Sequence, residues 1–168
     1  MRIRDYLTPE RIDLRLDATS KATAIERLVT LVARSLGLTD SAPLLSEVMR
    51  REEILSTGVG DGIAIPHAAI DGFTDPVIAL GMSRRGIDYG ALDQKPVHVL
   101  FLLVWPRAAP GLQLKALARI ARLGRQEDLA ARLLAAASPE EALAFIVSED
   151  ERADQGSPSP PKAPTPSL

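Results

Sequence analysis

The chain has 168 residues, of which 46% are hydrophobic, 25% are charged and 4% are aromatic, and its formal net charge is −2. These values predict one globular domain with an aliphatic core, and the small net charge excludes a general attraction to nucleic acid or to anionic membranes. The lack of cysteine excludes disulfides, thiolate catalysis and cysteine-ligated zinc, and the apolar runs are too short for direct membrane insertion, so we expect a soluble cytoplasmic protein.

The N-terminal half of the chain predicts two strands and two helices. Apolar and polar residues alternate at 12–16, as they do in a half-buried strand. Apolar residues at 24–32 recur at helical spacing, and we expect this helix to end near Gly37. A second helix is predicted over 41–52, and a short strand over 63–65 follows a glycine-rich loop.

The C-terminal half predicts two longer strands and three helices. A strand is expected over 77–82 with a turn at 84–86, and the nearly continuous apolar run at 97–105 predicts a buried central strand. Helices are predicted over 112–123, over 126–136 and from Ser138 and Pro139 onward. Strands interleaved with helices imply an α/β or α+β fold, in which about five strands form one sheet with helices on both faces.

The composition changes at about Glu149, and proline and serine dominate residues 157–166. A segment with so little apolar surface to bury predicts a disordered tail over 149–168, after a folded domain over 1–148. The proline-rich sequence is also compatible with a ligand for a proline-reading domain, although a solvated chain end is the simpler interpretation.

Residues 56–67, with the sequence STGVGDGIAIPH, are the strongest indication of function. Gly58, Gly60 and Gly62 permit positive φ angles and a close approach to backbone N–H groups, so this loop could hold an anion. The imidazole of His67 follows a proline and is expected at the end of a rigid strand, where it is a candidate nucleophile toward phosphorus. The alternative is a tight turn beside a hydrogen-bonded surface histidine.

Two further side chains could support a phosphoryl group on His67. Arg51 could supply a bidentate guanidinium, and Thr57 could donate a hydrogen bond to the phosphate or to the imidazole, or stabilise the turn instead. His98, the other histidine, is interpreted as a hydrogen-bonded strand residue, and the two histidines have no metal-ligand spacing. We therefore expect neither a metal nor a cofactor.

The sequence Arg-Glu-Glu at 51–53, followed by the motif at 56–67, resembles the signature of enzyme IIA of the bacterial phosphotransferase system. The resemblance is to the fructose/mannitol class, and most closely to its nitrogen-regulatory branch. It continues through 86–97, 114–117 and 140–143 and covers about residues 5–148. An ordered motif of this length is a specific signal, and only the tail lies outside it.

The resemblance implies a mixed β-sheet flanked by helices and a phosphohistidine carrier that regulates the system. It assigns the phosphorylated residue to His67 and the phosphate-supporting arginine to Arg51. The implied donor is phosphorylated HPr or its nitrogen-branch counterpart. In sugar transport the next acceptor is an enzyme IIB domain, whereas in the nitrogen-regulatory branch the phosphorylation state controls partners such as transporters and sensor kinases. Since the chain has no IIB or membrane domain of its own, we expect the regulatory branch.

One residue departs from the family pattern. The family commonly has a second histidine at the start of the helix predicted at 112–123, where this chain has Gln113. The glutamine amide can donate a hydrogen bond but cannot carry charge or relay a proton, so we expect weaker phosphate support. Three alternatives stay open: a sugar-transport IIA that donates to a separate IIB, a regulatory binding module that no longer needs phosphate, and an unrelated anion-binding domain.

Overall fold

The computed structural model describes residues 1–155, which form one mixed β-sheet between two layers of helices. A short 3-10 helix, Ile3–Asp5, precedes the first strand. The strands are β1 (Leu7–Asp13), β2 (Gly58–Gly60), β3 (Ile63–Ala64), β4 (His67–Ile70), β5 (Val77–Ile87) and β6 (Val97–Pro106). The helices are α1 (Lys21–Leu36), α2 (Ala42–Ile54), α3 (Pro110–Gly124), α4 (Leu129–Leu134) and α5 (Pro139–Gln155).

The sheet has the strand order β1-β5-β6-β3-β2, and β4 also pairs with β6, further along that strand than β3. Strands β1 and β5 are parallel, as are β3 and β6 and also β4 and β6, whereas β5–β6 and β2–β3 are antiparallel. Strand β6 is therefore the central strand that the apolar run predicted. It positions both the glycine-rich segment and the strand that begins at His67.

The core has two parts, one on each face of the sheet. Along β6, Leu100 and Leu102 pack with helices α1 and α2, while Phe101 and Leu103 face α3, α4 and α5. Alternate residues of a strand point to opposite faces, so a strand that is apolar throughout must be covered on both sides. The predicted mixed sheet with helices on both faces is confirmed.

Local signals set the ends of the first helix. The Ser20 side chain accepts a hydrogen bond from the Thr23 N–H group at 3.2 Å, which caps the N-terminus of α1. Gly37 ends the helix with a φ of 65°, a conformation that glycine adopts without steric cost. The predicted end of this helix near Gly37 is confirmed.

Three predicted elements differ from the structure. The first strand lies at Leu7–Asp13 rather than at 12–16, and the turn predicted at 84–86 lies inside β5. The pairing of β5 with β6 is irregular between Met82 and Ile87, so the exposed arginines and glycine of this segment form an irregularity within a strand and not its end. Of the helix predicted at 126–136, only α4 is regular helix.

The C-terminal helix continues beyond the predicted domain boundary at 148. Residues 149–155 belong to α5, although the composition predicted that the tail begins there. Asp150 is buried because its carboxylate accepts hydrogen bonds from the Ile3 N–H group at 3.0 Å and from Arg119, so a charged sequence is part of the packed domain. The proline-rich segment and the remainder of the predicted tail, 156–168, lie outside the described residues.

Candidate functional site

His67 is the first residue of β4, where the chain rejoins the sheet after Pro66. The Pro66 carbonyl accepts a hydrogen bond from the Leu103 N–H group at 2.9 Å, and His67 is opposite Leu103 in the parallel pairing with β6. The imidazole is 7% exposed, and its centroid lies 5.8 Å from that of the Trp105 ring. His67 was expected at the end of a strand, but it begins one, and pairing with β6 fixes its backbone.

One nitrogen of the His67 ring is held by a backbone carbonyl. The Nδ1 atom lies 2.7 Å from the carbonyl oxygen of Ile65. Since a carbonyl oxygen only accepts, the neutral imidazole must carry its proton on Nδ1. The lone pair of Nε2 is therefore free to act as a nucleophile.

Burial keeps His67 in its neutral form. Burial is the largest influence and lowers the pKa of the imidazole below its ordinary value of about 6.5. The positive charge of Arg51 also lowers this pKa, while the hydrogen bond to Ile65 and the carboxylate of Glu52 act in the opposite direction. At neutral pH the ring is therefore in the nucleophilic state.

Arg51 lies near the end of helix α2 and its charge acts on His67. One terminal nitrogen donates a hydrogen bond to the Leu55 carbonyl at 3.0 Å, which turns the side chain along the last turn of the helix. Among residues 1–155, no carboxylate forms an ion pair with this guanidinium. The structure thus brings a cation without a counter-ion into the electrostatic environment of the imidazole.

The glycine-rich segment is a β-hairpin. Strands β2 and β3 are joined by Asp61 and Gly62, whose φ angles of 53° and 76° fit the two-residue turn that favours Asp-Gly. The Gly62 carbonyl accepts hydrogen bonds from the N–H groups of His98 and Val99, at 2.8 and 3.0 Å. The positive φ angle of Gly62 is thus explained by turn geometry.

The sheet register separates the hairpin turn from His67. Ile63 pairs with Val99, and His67 pairs with Leu103 four residues further along β6, a distance of about 13 Å at strand spacing. The turn containing Gly62, together with Gly60, is therefore not brought to the imidazole.

Gly58 lies at the other end of strand β2, where it pairs with Ala64. A Cβ atom on Gly58 would lie 2.8 Å from the Ala91 Cα, so close packing against backbone explains this glycine. The Gly58 N–H group lies 3.3 Å from the Ser56 side-chain oxygen. Of the three predicted phosphate-binding glycines, Gly58 is the nearest to His67 along the strand register.

Thr57 is buried and its side chain is directed away from solvent. Its hydroxyl contacts a carboxylate oxygen of Glu52 in a hydrogen bond and lies 3.2 Å from the Tyr89 hydroxyl. The structure therefore supports the turn-stabilising interpretation of Thr57 more directly than contact with a phosphate.

Glu52 is not among the side chains that the sequence predicted to support a phosphoryl group. It lies four residues after Val48 and eight after Leu44, both of which are buried, so its helical spacing placed it on the buried face of α2. A buried carboxylate must be hydrogen-bonded or paired, so a glutamate at a buried helical position is the sequence signal that could have indicated Glu52.

Gln113 lies in the first turn of helix α3 and is partly buried. Helix α3 packs on the same face of the sheet as Leu103 and Trp105, which are the neighbours of the His67 ring. The structure thus places Gln113 on the helical layer that covers the side of the sheet that the imidazole faces.

An exposed apolar surface lies beside Arg51. We name it the apolar rim and define it as Ile54, Leu55, Val59 and Leu92, which are 71%, 62%, 47% and 74% exposed. Ile54 and Leu55 are consecutive at the end of α2, and Leu92 donates its N–H group to the Gly58 carbonyl at 3.2 Å, next to Val59. Large exposed side chains grouped in this way indicate a surface that contacts other proteins.

His98 is held by the sheet in the way the sequence predicted. Its Nδ1 atom lies 2.8 Å from the Ser83 carbonyl oxygen.

Within residues 1–155, no group of three or more acidic or histidine side chains could hold a metal ion. In the same range, no helix has the length and hydropathy that crossing a bilayer requires.

Comparison with known proteins gives consistent matches. Residues 5–149 match the family model described as "Phosphoenolpyruvate-dependent sugar phosphotransferase system, EIIA 2". The chain is 35% identical over 147 residues to the nitrogen regulatory protein of Pseudomonas aeruginosa, covering 88% of this chain and 96% of that protein. It is 34% identical over 152 residues to the fructose-specific EIIABC component of Bacillus subtilis, covering 90% of this chain but 24% of that longer protein.

A solved structure with the same fold is the nitrogen regulatory protein IIA-Ntr from Neisseria meningitidis. The TM-score is 0.80 at 30% sequence identity, and the match covers 86% of this chain and 98% of that chain. A mixed sheet between two helical layers, with a buried histidine at the start of a strand that pairs with the central strand, is thus the frame of a phosphotransfer family. The chain belongs to the EIIA 2 family of the phosphoenolpyruvate-dependent sugar phosphotransferase system.

Proposed function

We propose that this protein accepts a phosphoryl group on Nε2 of His67 from an HPr-like phosphohistidine protein. The observation that carries the proposal is the 2.7 Å contact between Nδ1 and the Ile65 carbonyl, which leaves Nε2 as the free nitrogen of a buried, neutral ring. Pre-orientation of this kind lowers the entropy that the nucleophile must lose in the transition state.

The proposed step is an in-line displacement at phosphorus. The Nε2 lone pair of His67 forms a bond to phosphorus while the P–N bond of the donor breaks, and the electron pair of that bond returns to the donor nitrogen. His67 keeps its proton on Nδ1, where the Ile65 carbonyl stabilises the positive charge that develops on the ring. Transfer onward to an acceptor is the reverse of this step.

The phosphate needs donors and positive charge around its oxygens. Arg51 is the strongest candidate because its charge acts on His67 and no carboxylate in the described part of the chain forms an ion pair with its guanidinium. The Gln113 amide is a second candidate, since α3 lies on the face of the sheet that His67 occupies. The Gly58 N–H group would serve as a donor by exchanging its Ser56 partner for a phosphate oxygen, and we assign Gly60, Gly62 and Thr57 to the scaffold of the site.

The apolar rim and Arg51 together are suited to docking of the donor protein. Exposed leucine, isoleucine and valine side chains, beside a guanidinium that forms no ion pair within residues 1–155, match a partner that presents an apolar surface around a phosphorylated histidine. Such a surface allows transient binding, which a carrier must both form and release.

We further propose a regulatory role in the nitrogen branch, in which the phosphorylation state controls partners such as transporters or sensor kinases in the cytoplasm. The match to nearly the full length of a nitrogen regulatory protein supports this choice. The match to the EIIABC component supports the second candidate, a sugar-transport IIA that donates to a separate IIB domain. A third candidate is a binding module that no longer needs phosphate. It is supported by Gln113, which stands where the family resemblance implies a second histidine.

Intact-mass analysis tests phosphorylation directly. The protein is incubated with phosphoenolpyruvate, enzyme I and the HPr-like protein of the same organism, and the His67→Gln variant is treated in parallel. We expect an acid-labile gain of one phosphoryl group that the variant lacks. The matched control is His98→Gln, which removes the other histidine, also held through Nδ1 by a carbonyl, and must still be phosphorylated.

Two results separate the candidate functions. Rapid transfer from the phosphorylated protein to a purified IIB domain would favour the sugar-transport role over the regulatory one. If the mass of the wild-type protein does not change, and partner binding is retained in His67→Gln, phosphoryl transfer is excluded and the protein is a phosphate-independent binding module.

A further inference from the structure

Glu52 is a buried carboxylate that joins three parts of the fold. It is 4% exposed, and its Oε1 atom accepts hydrogen bonds from the Lys21 ammonium and from the Thr57 N–H group, each at 3.0 Å. Its Oε2 atom accepts from the Thr57 hydroxyl and from the Tyr89 hydroxyl, the latter at 3.3 Å. The carboxylate therefore links helix α1, the segment before β2 and the connection between β5 and β6.

A continuous chain of hydrogen bonds leads from this carboxylate to the imidazole. The Thr57 N–H group donates to Glu52, and the Thr57 carbonyl accepts the Ile65 N–H group at 3.0 Å. The Ile65 carbonyl then accepts Nδ1–H of His67 at 2.7 Å. Thr57 and Ile65 each donate through their N–H group and accept through their carbonyl, so the carboxylate and the imidazole are joined through two residues whose backbone is hydrogen-bonded on both sides.

We propose that Glu52 is a positioning residue that holds the His67 imidazole in its Nδ1–H tautomer through the backbone of Thr57 and Ile65. Glu52 does not touch the ring, so it acts by fixing the carbonyl that selects the tautomer. The effect of Glu52 on the rate of phosphoryl transfer rests on the function proposed above, whereas the effect of Glu52 on the His67 tautomer is independent of that function.

The chemistry of the cluster explains why a carboxylate is required. All four groups around Glu52 act as donors toward it, and a carboxylate offers two accepting oxygens. A glutamine amide offers one oxygen and would direct its own N–H groups at donors. The Lys21 ammonium balances the buried charge, and it also lies 4.8 Å from the centroid of the Tyr89 ring.

The test begins with the unphosphorylated protein. The ¹⁵N shifts of the His67 ring report its tautomer directly, and they are measured in wild type, Glu52→Gln and Glu52→Ala. We expect wild type to be almost entirely the Nδ1–H form. Both variants are expected to contain a substantial Nε2–H fraction, and Glu52→Ala the larger one. Glu52→Gln is the more conservative variant and serves if Glu52→Ala does not fold.

The matched control is Asp150→Asn, which changes another buried carboxylate at the β1 edge of the sheet, away from β4. We expect it to lower the unfolding temperature while leaving the His67 shifts unchanged. The rate of phosphorylation should fall about tenfold to a hundredfold in Glu52→Ala, because a misplaced nucleophile reacts slowly, and should be unchanged in Asp150→Asn.

Wild-type ring shifts in folded Glu52→Gln and Glu52→Ala would overturn the positioning role. So would a tautomer change of equal size in Asp150→Asn, which would show a general effect of destabilisation. If wild type has the Nδ1–H tautomer but takes up no phosphoryl group, the proposed function fails while the positioning role of Glu52 is still decided by the shifts.

Discussion

Replacement of Gly58 by alanine separates the two explanations for this glycine, which are close packing and phosphate binding through its N–H group. A Cβ atom here would lie 2.8 Å from both the Cα and the Cβ of Ala91 and 3.2 Å from Cδ1 of Tyr89. Since Ala91 contributes a backbone atom, relief requires a backbone shift, and overpacking of this kind costs about 1–3 kcal/mol. Reduced entropy of the unfolded chain offsets about 0.4–1 kcal/mol of that.

The expected net loss in Gly58→Ala is therefore about 1–2 kcal/mol in the free energy of unfolding. With a urea m-value of about 2 kcal/mol per molar, the midpoint should fall by about 0.5–1 M. The control is Gly111→Ala on helix α3, where an added Cβ meets nothing within 4 Å and the midpoint should stay or rise. An unchanged midpoint in Gly58→Ala, with lost phosphorylation, would refute the packing explanation and favour phosphate binding.

Four further predictions concern the site. Because the pKa of His67 is lowered by burial, the rate of phosphorylation should stay constant as the pH falls through 6.5, and a decline that begins at or above 6.5 would contradict the assigned burial effect. The unfolded chain binds a proton that the folded chain does not in this range, so the free energy of unfolding should fall below pH 6.5 in wild type and less so in His67→Gln. Arg51→Lys keeps the charge but loses the bidentate geometry, so phosphorylation should slow about tenfold. The control, Arg50→Lys on the exposed side of α2, should be phosphorylated at the wild-type rate. Equal phosphorylation rates in the two variants would show that Arg51 does not contact the phosphate. Leu92→Ser on the apolar rim should raise KM for the phosphorylated donor without lowering the unfolding temperature, and an unchanged KM would exclude this surface from docking.

Much of the fold could be predicted because its strongest signals are local. Strand β6 is nearly all apolar, and α1 carries both a serine cap and a glycine stop, so each element is visible within its own sequence. The boundaries that failed depend on distant contacts. The charged residues 149–155 continue a helix because Asp150 binds Arg119 and the Ile3 N–H group, and nothing adjacent in the sequence indicates those partners.

The candidate site shows the same limit. The motif was sufficient to select His67 and Arg51, because their chemistry is carried by residue type. The roles of the glycines could not be predicted, since a hairpin turn and an anion-binding loop require the same positive φ angles. The role proposed for Glu52 could not be predicted, because it rests on contacts with Lys21 and Tyr89, which are 31 and 37 residues away in sequence.

The proposal that His67 is phosphorylated on Nε2 is tested most directly by identifying the phosphorylated atom. The ¹⁵N-labelled protein is phosphorylated by its phosphoenolpyruvate-dependent donors, and the coupling between phosphorus and the ring nitrogens of His67 is measured by NMR. We expect phosphorus to be bonded to Nε2 while Nδ1 keeps its proton and its hydrogen bond to Ile65. Phosphorus on Nδ1, or on any residue other than His67, would contradict this proposal.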